Sequence, residues 1–98
     1  MFEVAEYRVK FYHARYEEPK KYTFLGPNVS VQGSTTCYIK ADDKETVSAV
    51  TFCSVDDQFE RNEGRKRALE RTLEKSHFNK AQRTKFWEAY FKKRGKVG

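Results

Sequence analysis

Between Ala5 and Phe11 the chain alternates: Ala5, Tyr7, Val9 and Phe11 on one side, Glu6, Arg8 and Lys10 on the other. A period of two places these sets on opposite faces of a half-buried strand running through AEYRVKFYH. The charged run EEPKK, with Pro19 as punctuation, breaks the pattern. YTFL leads into a turn at Gly26 to Asn28, and VSVQG reads as a short strand ending at Gly33. TTCYIKA and TVSAVTFC are rich in β-branched and aromatic residues, and the polar DDKE between them reads as a hairpin loop. In the second of these strands Val47, Ala49, Thr51 and Cys53 share one face, and Ser48, Val50 and Phe52 the other. Apolar residues on both faces predict an interior strand, or one with a helix packed on its second side.

The period changes at Ser54. SVDD offers a serine or aspartate N-cap, and carboxylates are favoured beside a helix N-terminus. Val55, Phe59, Leu69 and Leu73 fall on one side of a helical wheel and predict a core stripe. Ser76 to Asn79 reads as a turn, with Asn79 capping a second helix, KAQRTKFWEAYFKKR. Trp87, Tyr90 and Phe91 lie along one side of that helix, with Phe86 beside them, and Gly95 is a natural stop. Strands first and helices last predict an α+β fold: an antiparallel sheet of four or five strands followed by two C-terminal helices. With 98 residues the chain is expected to form one domain, 1–53 supplying the sheet and 54–98 two basic helices.

Charge sharpens this division. The net charge is +6, yet residues 1–53 hold seven Lys+Arg against seven Asp+Glu, and residues 54–98 hold thirteen against seven. The whole excess sits in the helical part, which points to a polyanion or an acidic protein surface as partner, or to a solvated helical face. No apolar run is long enough to cross a membrane, and MFEVAEYRVK lacks the apolar core of a signal peptide. A cytoplasmic setting, with Cys37 and Cys53 reduced, is the expectation. The aromatic content of 15% can make up for modest apolar content, and self-association into a homo-oligomer is a further way to cover such surface.

The candidate chemistry is that of binding. Arg61 and Arg65 lie one helical turn apart beside the core stripe, with Gly64 next to them; guanidinium groups hold phosphate through bidentate bonds. Gly64 costs about 1 kcal/mol in a helix interior, which implies a packing or access role, or a late or kinked helix start. Arg67 and Arg71 form an outer pair, where Glu63 to Arg67 has ordinary ion-pair spacing for a helix face. Trp87 and Tyr90 are the candidates for stacking a base, with core packing or an oligomer contact as the competing role. Tyr7, Tyr12 and Tyr16 interleave with Arg8, Lys10 and Arg15, a pattern compatible with stacking on a sheet, although the strand–helix order of an RNA recognition motif is absent. Asp56 and Asp57 are explained by helix capping; no paired ligand spacing points to a metal and no glycine-rich loop to a phosphate cofactor, so no cofactor is expected. His13 and His77 sit in unlike contexts and neither thiol has a nucleophile signature, so no catalytic residue is assigned.

The run CSVDDQFERNEGRKRALER, Cys53 to Arg71, resembles a pattern of small bacteriophage accessory proteins, carried here by Cys53, Ser54, Asp57, Phe59, Arg61, Gly64, Arg65, Ala68, Leu69 and Arg71. It covers about a fifth of the chain. The plan of a small antiparallel sheet followed by two helices, with arginines one turn apart, is similar to the Thoeris anti-defence sponge proteins. That resemblance implies an oligomer that binds a cyclic ADP-ribose-type immune signal without cleaving it, with Arg61 and Arg65 on phosphate and an aromatic residue under adenine. The alternatives are an inhibitor that meets a host or defence protein, such as a nuclease or polymerase, through the basic helical face, and a small DNA- or RNA-binding protein.

Overall fold

The computed structural model describes residues 2–55 and 61–93. Four strands, β1 (Phe2–Val4), β2 (Tyr7–Lys21), β3 (Ser30–Ala41) and β4 (Lys44–Ser54), form one sheet in the order β1-β2-β3-β4, each antiparallel to the next. Two helices follow, α1 (Arg61–Lys75) and α2 (Lys80–Lys93). The expected α+β arrangement is present, with four strands.

Several boundaries differ from the expectation, each for a local reason. Phe2–Val4 form a strand of their own, and Ala5 and Glu6 are the two-residue turn that returns it on β2, with Val4 facing Tyr7. EEPKK does not end β2. The register slips between Arg15 and Lys20, and Pro19 sits inside that irregularity, where its missing N–H breaks no regular ladder bond. In YTFL, Tyr22 is still extended, and Thr23–Leu25 form a single 3-10 turn ahead of Gly26. Gly33 does not end a strand, since β3 runs through it from Ser30 to Ala41 with a second irregularity opposite Ser54 and Cys53. The β3–β4 turn is Asp42 and Asp43 alone, because Ala41 already pairs with Lys44.

Both helices sit against one face of the sheet. Register and strand alternation place Tyr7, Val9, Phe11 and His13 of β2, Thr35, Cys37 and Ile39 of β3, and Val47, Ala49 and Thr51 of β4 on that face. Phe2, Val9, Cys37 and Ile39 meet Ala68, Leu69 and Leu73 of α1 and Phe86 and Tyr90 of α2 in one core. Burying a side chain of this size contributes about 1.5–3 kcal/mol, so the two α2 rings are a substantial share of what holds that helix in place. Val55 departs from its predicted place: it lies in the turn after β4, is exposed, and donates its N–H to Ser30 O at 2.9 Å. Phe59 and the Asp56–Asp57 cap fall outside the described residues.

Strand β4 is an edge, not an interior strand. Its apolar residues on two faces have a different cause: Ala49 and Thr51 face the helices, while Val50 and Phe52 lie on a sheet face over which neither helix packs. Lys75 of α1 reaches across and donates to Ser48 O at 2.7 Å, placing a charge on this edge. Directly after Lys75, Ser76 to Asn79 make the turn to α2. Asn79 Oδ1 accepts from Gln82 N at 2.8 Å, and Gln82 Oε1 accepts from Asn79 N at 3.0 Å, a reciprocal capping box that fixes the start of α2 as expected.

Candidate functional site

The described part of α1 begins at Arg61, and its first turn passes over Thr35 of β3, which stands opposite His13 of β2. His13 Nδ1 and Thr35 Oγ1 are 2.8 Å apart and share a hydrogen bond. Gly64 lies directly on Thr35: a Cβ there would overlap the threonine hydroxyl and stand 3.1 Å from its Cβ. The glycine therefore has a packing role, bringing the helix backbone down onto the sheet. Arg61 and Arg65, one turn apart, come close enough to His13 that their charge, added to burial as the main cause and with Arg65 ahead of Arg61, lowers the imidazole pKa below its ordinary value. Arg65 is steadied by Nη1 donating to Asn62 Oδ1 at 2.9 Å.

The other predicted residues divide. Arg67 donates Nε to Glu63 Oε1 at 3.1 Å, the helix-face ion pair that the spacing implied. Arg71 lies further along, lining with Glu74 and Lys75 a shallow depression at the β4 edge beside Ala49 and Val50. Neither joins Arg61 and Arg65 at His13. On α2 the two aromatics part company. Tyr90 is 2% exposed, its ring packed against Phe2 and Phe11, so no base can stack on it; this corrects its assignment as a platform. Trp87 is half-buried, stacks on Phe91 at 6.0 Å between ring centroids, and meets Tyr90 edge-on at 5.8 Å. The Tyr90 hydroxyl comes within 3.5 Å of Asn62 O, so the aromatic end of α2 and the Arg61–Arg65 turn adjoin.

The opposite face of the sheet holds a group that sequence spacing did not assemble. Arg8 and Lys40 are direct cross-strand partners, as are Lys10 and Tyr38. With Thr46 they line a shallow cavity of about 430 Å³. Tyr12, 65% exposed, lies one diagonal step from Tyr38, 41% exposed. Further along, Phe52 is partly covered by Tyr22 and Phe24, with centroids 5.1 and 5.6 Å away. The interleaved tyrosines and cations of β2 thus separate by parity. Tyr12, Arg8 and Lys10 belong to this open face, while Tyr7 packs on Phe78 and Phe86 under the helices. The signal for Tyr38 and Lys40 was their even numbering in β3, which becomes meaningful once the β2–β3 register is known.

Burial pushes the Cys37 thiol up to about 11, which leaves it protonated at neutral pH and a poor nucleophile. Both cysteines are thiols. Among the described residues no three His, Cys, Asp or Glu side chains group to hold a metal, and no helix is long and apolar enough to cross a membrane.

No family model matches this chain, and neither the curated proteins nor the solved structures contain a match to it.

Proposed function

We propose that this protein acts by binding and not by catalysis, taking a phosphate-bearing ligand, a nucleotide signal, at the start of α1, in the manner of a phage counter-defence or host-takeover accessory protein. The observation that carries this reading is the convergence of Arg61 and Arg65 on the His13–Thr35 pair. Asn62 orients one guanidinium, and Gly64 holds the helix backbone close to the sheet. Phosphate supplies the negative charge that such a group attracts, and a guanidinium meets it bidentately. Trp87, joined to this turn through Tyr90, is the aromatic surface in position to take a base.

Calorimetry with cyclic nucleotides and ADP-ribose derivatives tests the reading. One nucleotide binds tightly with little dependence on salt, and Arg61→Ala with Arg65→Ala abolishes that binding while the thermal midpoint moves by no more than a few degrees. Silence across these ligands overturns it.

A second reading rests on α2, whose Lys80, Arg83, Lys85, Lys92 and Lys93 are set against one carboxylate, Glu88. None of these cations has an ion pair among the described residues. Such a helix suits an acidic surface on a host or defence protein. Charge reversal at Lys85 and Lys92 would then abolish inhibition of that protein and leave nucleotide affinity untouched.

A further inference from the structure

On the open face, the side chains of Arg8 and Lys40 stand directly opposite each other, with Lys10 on the diagonal. Like charges in such positions are destabilising. Arg8 is offset by Asp42, whose Oδ1 it meets at 2.8 Å, and by Glu3 across β1. Lys10 and Lys40 have no ion pair among the described residues. Beside these lysines are two tyrosine rings with open surface, Tyr12 and Tyr38. From Tyr38 the face continues over four β3 residues, about 13 Å, to the aromatic group at Phe52.

We propose that this open sheet face binds single-stranded nucleic acid, with unpaired bases stacked on Tyr12 and Tyr38 and phosphates met by Lys10, Lys40 and Arg8. Aromatic platforms beside a cationic track are what a flexible strand requires, since every base has a face to stack and every linkage carries a charge. Charge selects this occupant over a second copy of the chain. Between Arg8 and Tyr16 in β2, Gln32 and Lys40 in β3, and Thr46 and Phe52 in β4, the rows on this face contain no carboxylate. Face-to-face pairing of two copies would desolvate Lys10 and Lys40, while the carboxylates nearest this face, Glu3 and Asp42, are already set against Arg8. A duplex keeps its bases stacked on one another and away from both rings. The surface lies across the sheet from Arg61 and Arg65 and is independent of the nucleotide reading.

Fluorescence anisotropy with a labelled oligothymidylate of about 12 nucleotides, and with a duplex of equal length, tests the proposal. The wild-type chain binds the strand more tightly than the duplex. Tyr12→Ala with Tyr38→Ala weakens strand binding about tenfold or more. Lys10→Gln with Lys40→Gln lowers the salt slope by about 0.7 for each phosphate left without its lysine. Arg61→Ala with Arg65→Ala binds the strand as the wild type does, so failure of the nucleotide reading leaves this one standing. The proposal is overturned by absence of strand binding, by equal affinity for the duplex, or by full binding in the double tyrosine variant. A concentration-dependent dimer that the tyrosine variant dissolves, with no strand affinity, assigns the face to a second copy instead.

Discussion

Gly64 rests on Thr35 so closely that the threonine hydroxyl occupies the space a side chain at position 64 would need. Helix propensity alone favours Gly64→Ala by about 1 kcal/mol, and overpacking opposes it by about 1–3 kcal/mol. Packing wins, because Thr35 is buried in the middle strand of a β2–β3–β4 ladder and is tied to His13. Gly64→Ala therefore lowers stability in urea unfolding, and Thr35→Ala in the same chain recovers part of the loss. A stabilised Gly64→Ala variant would sink this account of the glycine.

His13 makes stability depend on pH. Its folded pKa lies below the unfolded value of 6.5, so near and below that pH the unfolded chain binds the proton more readily. Stability is full above about pH 6.5 and falls as the pH drops toward the folded pKa, below which this contribution stays constant. His13→Gln flattens that limb of the profile. Arg65→Ala raises the His13 pKa by removing the guanidinium that acts on it more strongly than Arg61. An anionic ligand at Arg61 and Arg65 raises it as well, which a proton NMR titration of the imidazole reads directly.

Ala5 occupies the turn between β1 and β2 with φ +53°, the left-handed region that costs a non-glycine residue about 1–2 kcal/mol. Ala5→Gly removes that strain and returns about 0.4–1 kcal/mol as added unfolded-state entropy. The variant is expected to be neutral to more stable, by up to about 1.6 kcal/mol. Ala5→Val, which brings a β-branched side chain into the same conformation, is destabilised. Thermal melts of the two variants should move apart.

The two thiols should differ in reactivity. Cys37 has no solvent exposure and its thiol is held protonated, whereas Cys53 is only partly covered. A thiol reagent therefore modifies Cys53 first in the native protein, and Cys37 at a rate that follows global unfolding. In a Cys53→Ser chain, reaction should await denaturant; prompt modification there would show that the core over Cys37 opens locally.

The order of elements was legible because strand and helix periods differ and because Asn79 is an effective cap. What was not legible depended on pairing. Pro19 and Gly33 read as strand ends, yet a register irregularity accommodates the first and β3 runs on through the second. Val50 and Phe52 read as signs of an interior strand because an uncovered apolar face has the same sequence pattern as a covered one. Glu63–Arg67 was visible from helical spacing alone. Tyr90 was not separable from Trp87, since both lie on one side of the wheel and only the tertiary packing shows which ring faces β1. Lys40 and Tyr38 escaped notice because their meeting with Arg8 and Lys10 is a property of the β2–β3 register, some thirty residues apart in the chain.

Phe2 of β1 lies 6.1 Å, ring to ring, from Tyr90 of α2, so the first strand and the second helix of the chain seat one another. The hairpins between them can form as the chain is made, because every strand pairs with its neighbour in sequence. The core cannot close until α2 arrives. Until α2 has left the ribosome, the half-built sheet therefore keeps a bare aromatic flank at Phe2 and Phe11, the surface that Tyr90 covers in the finished fold.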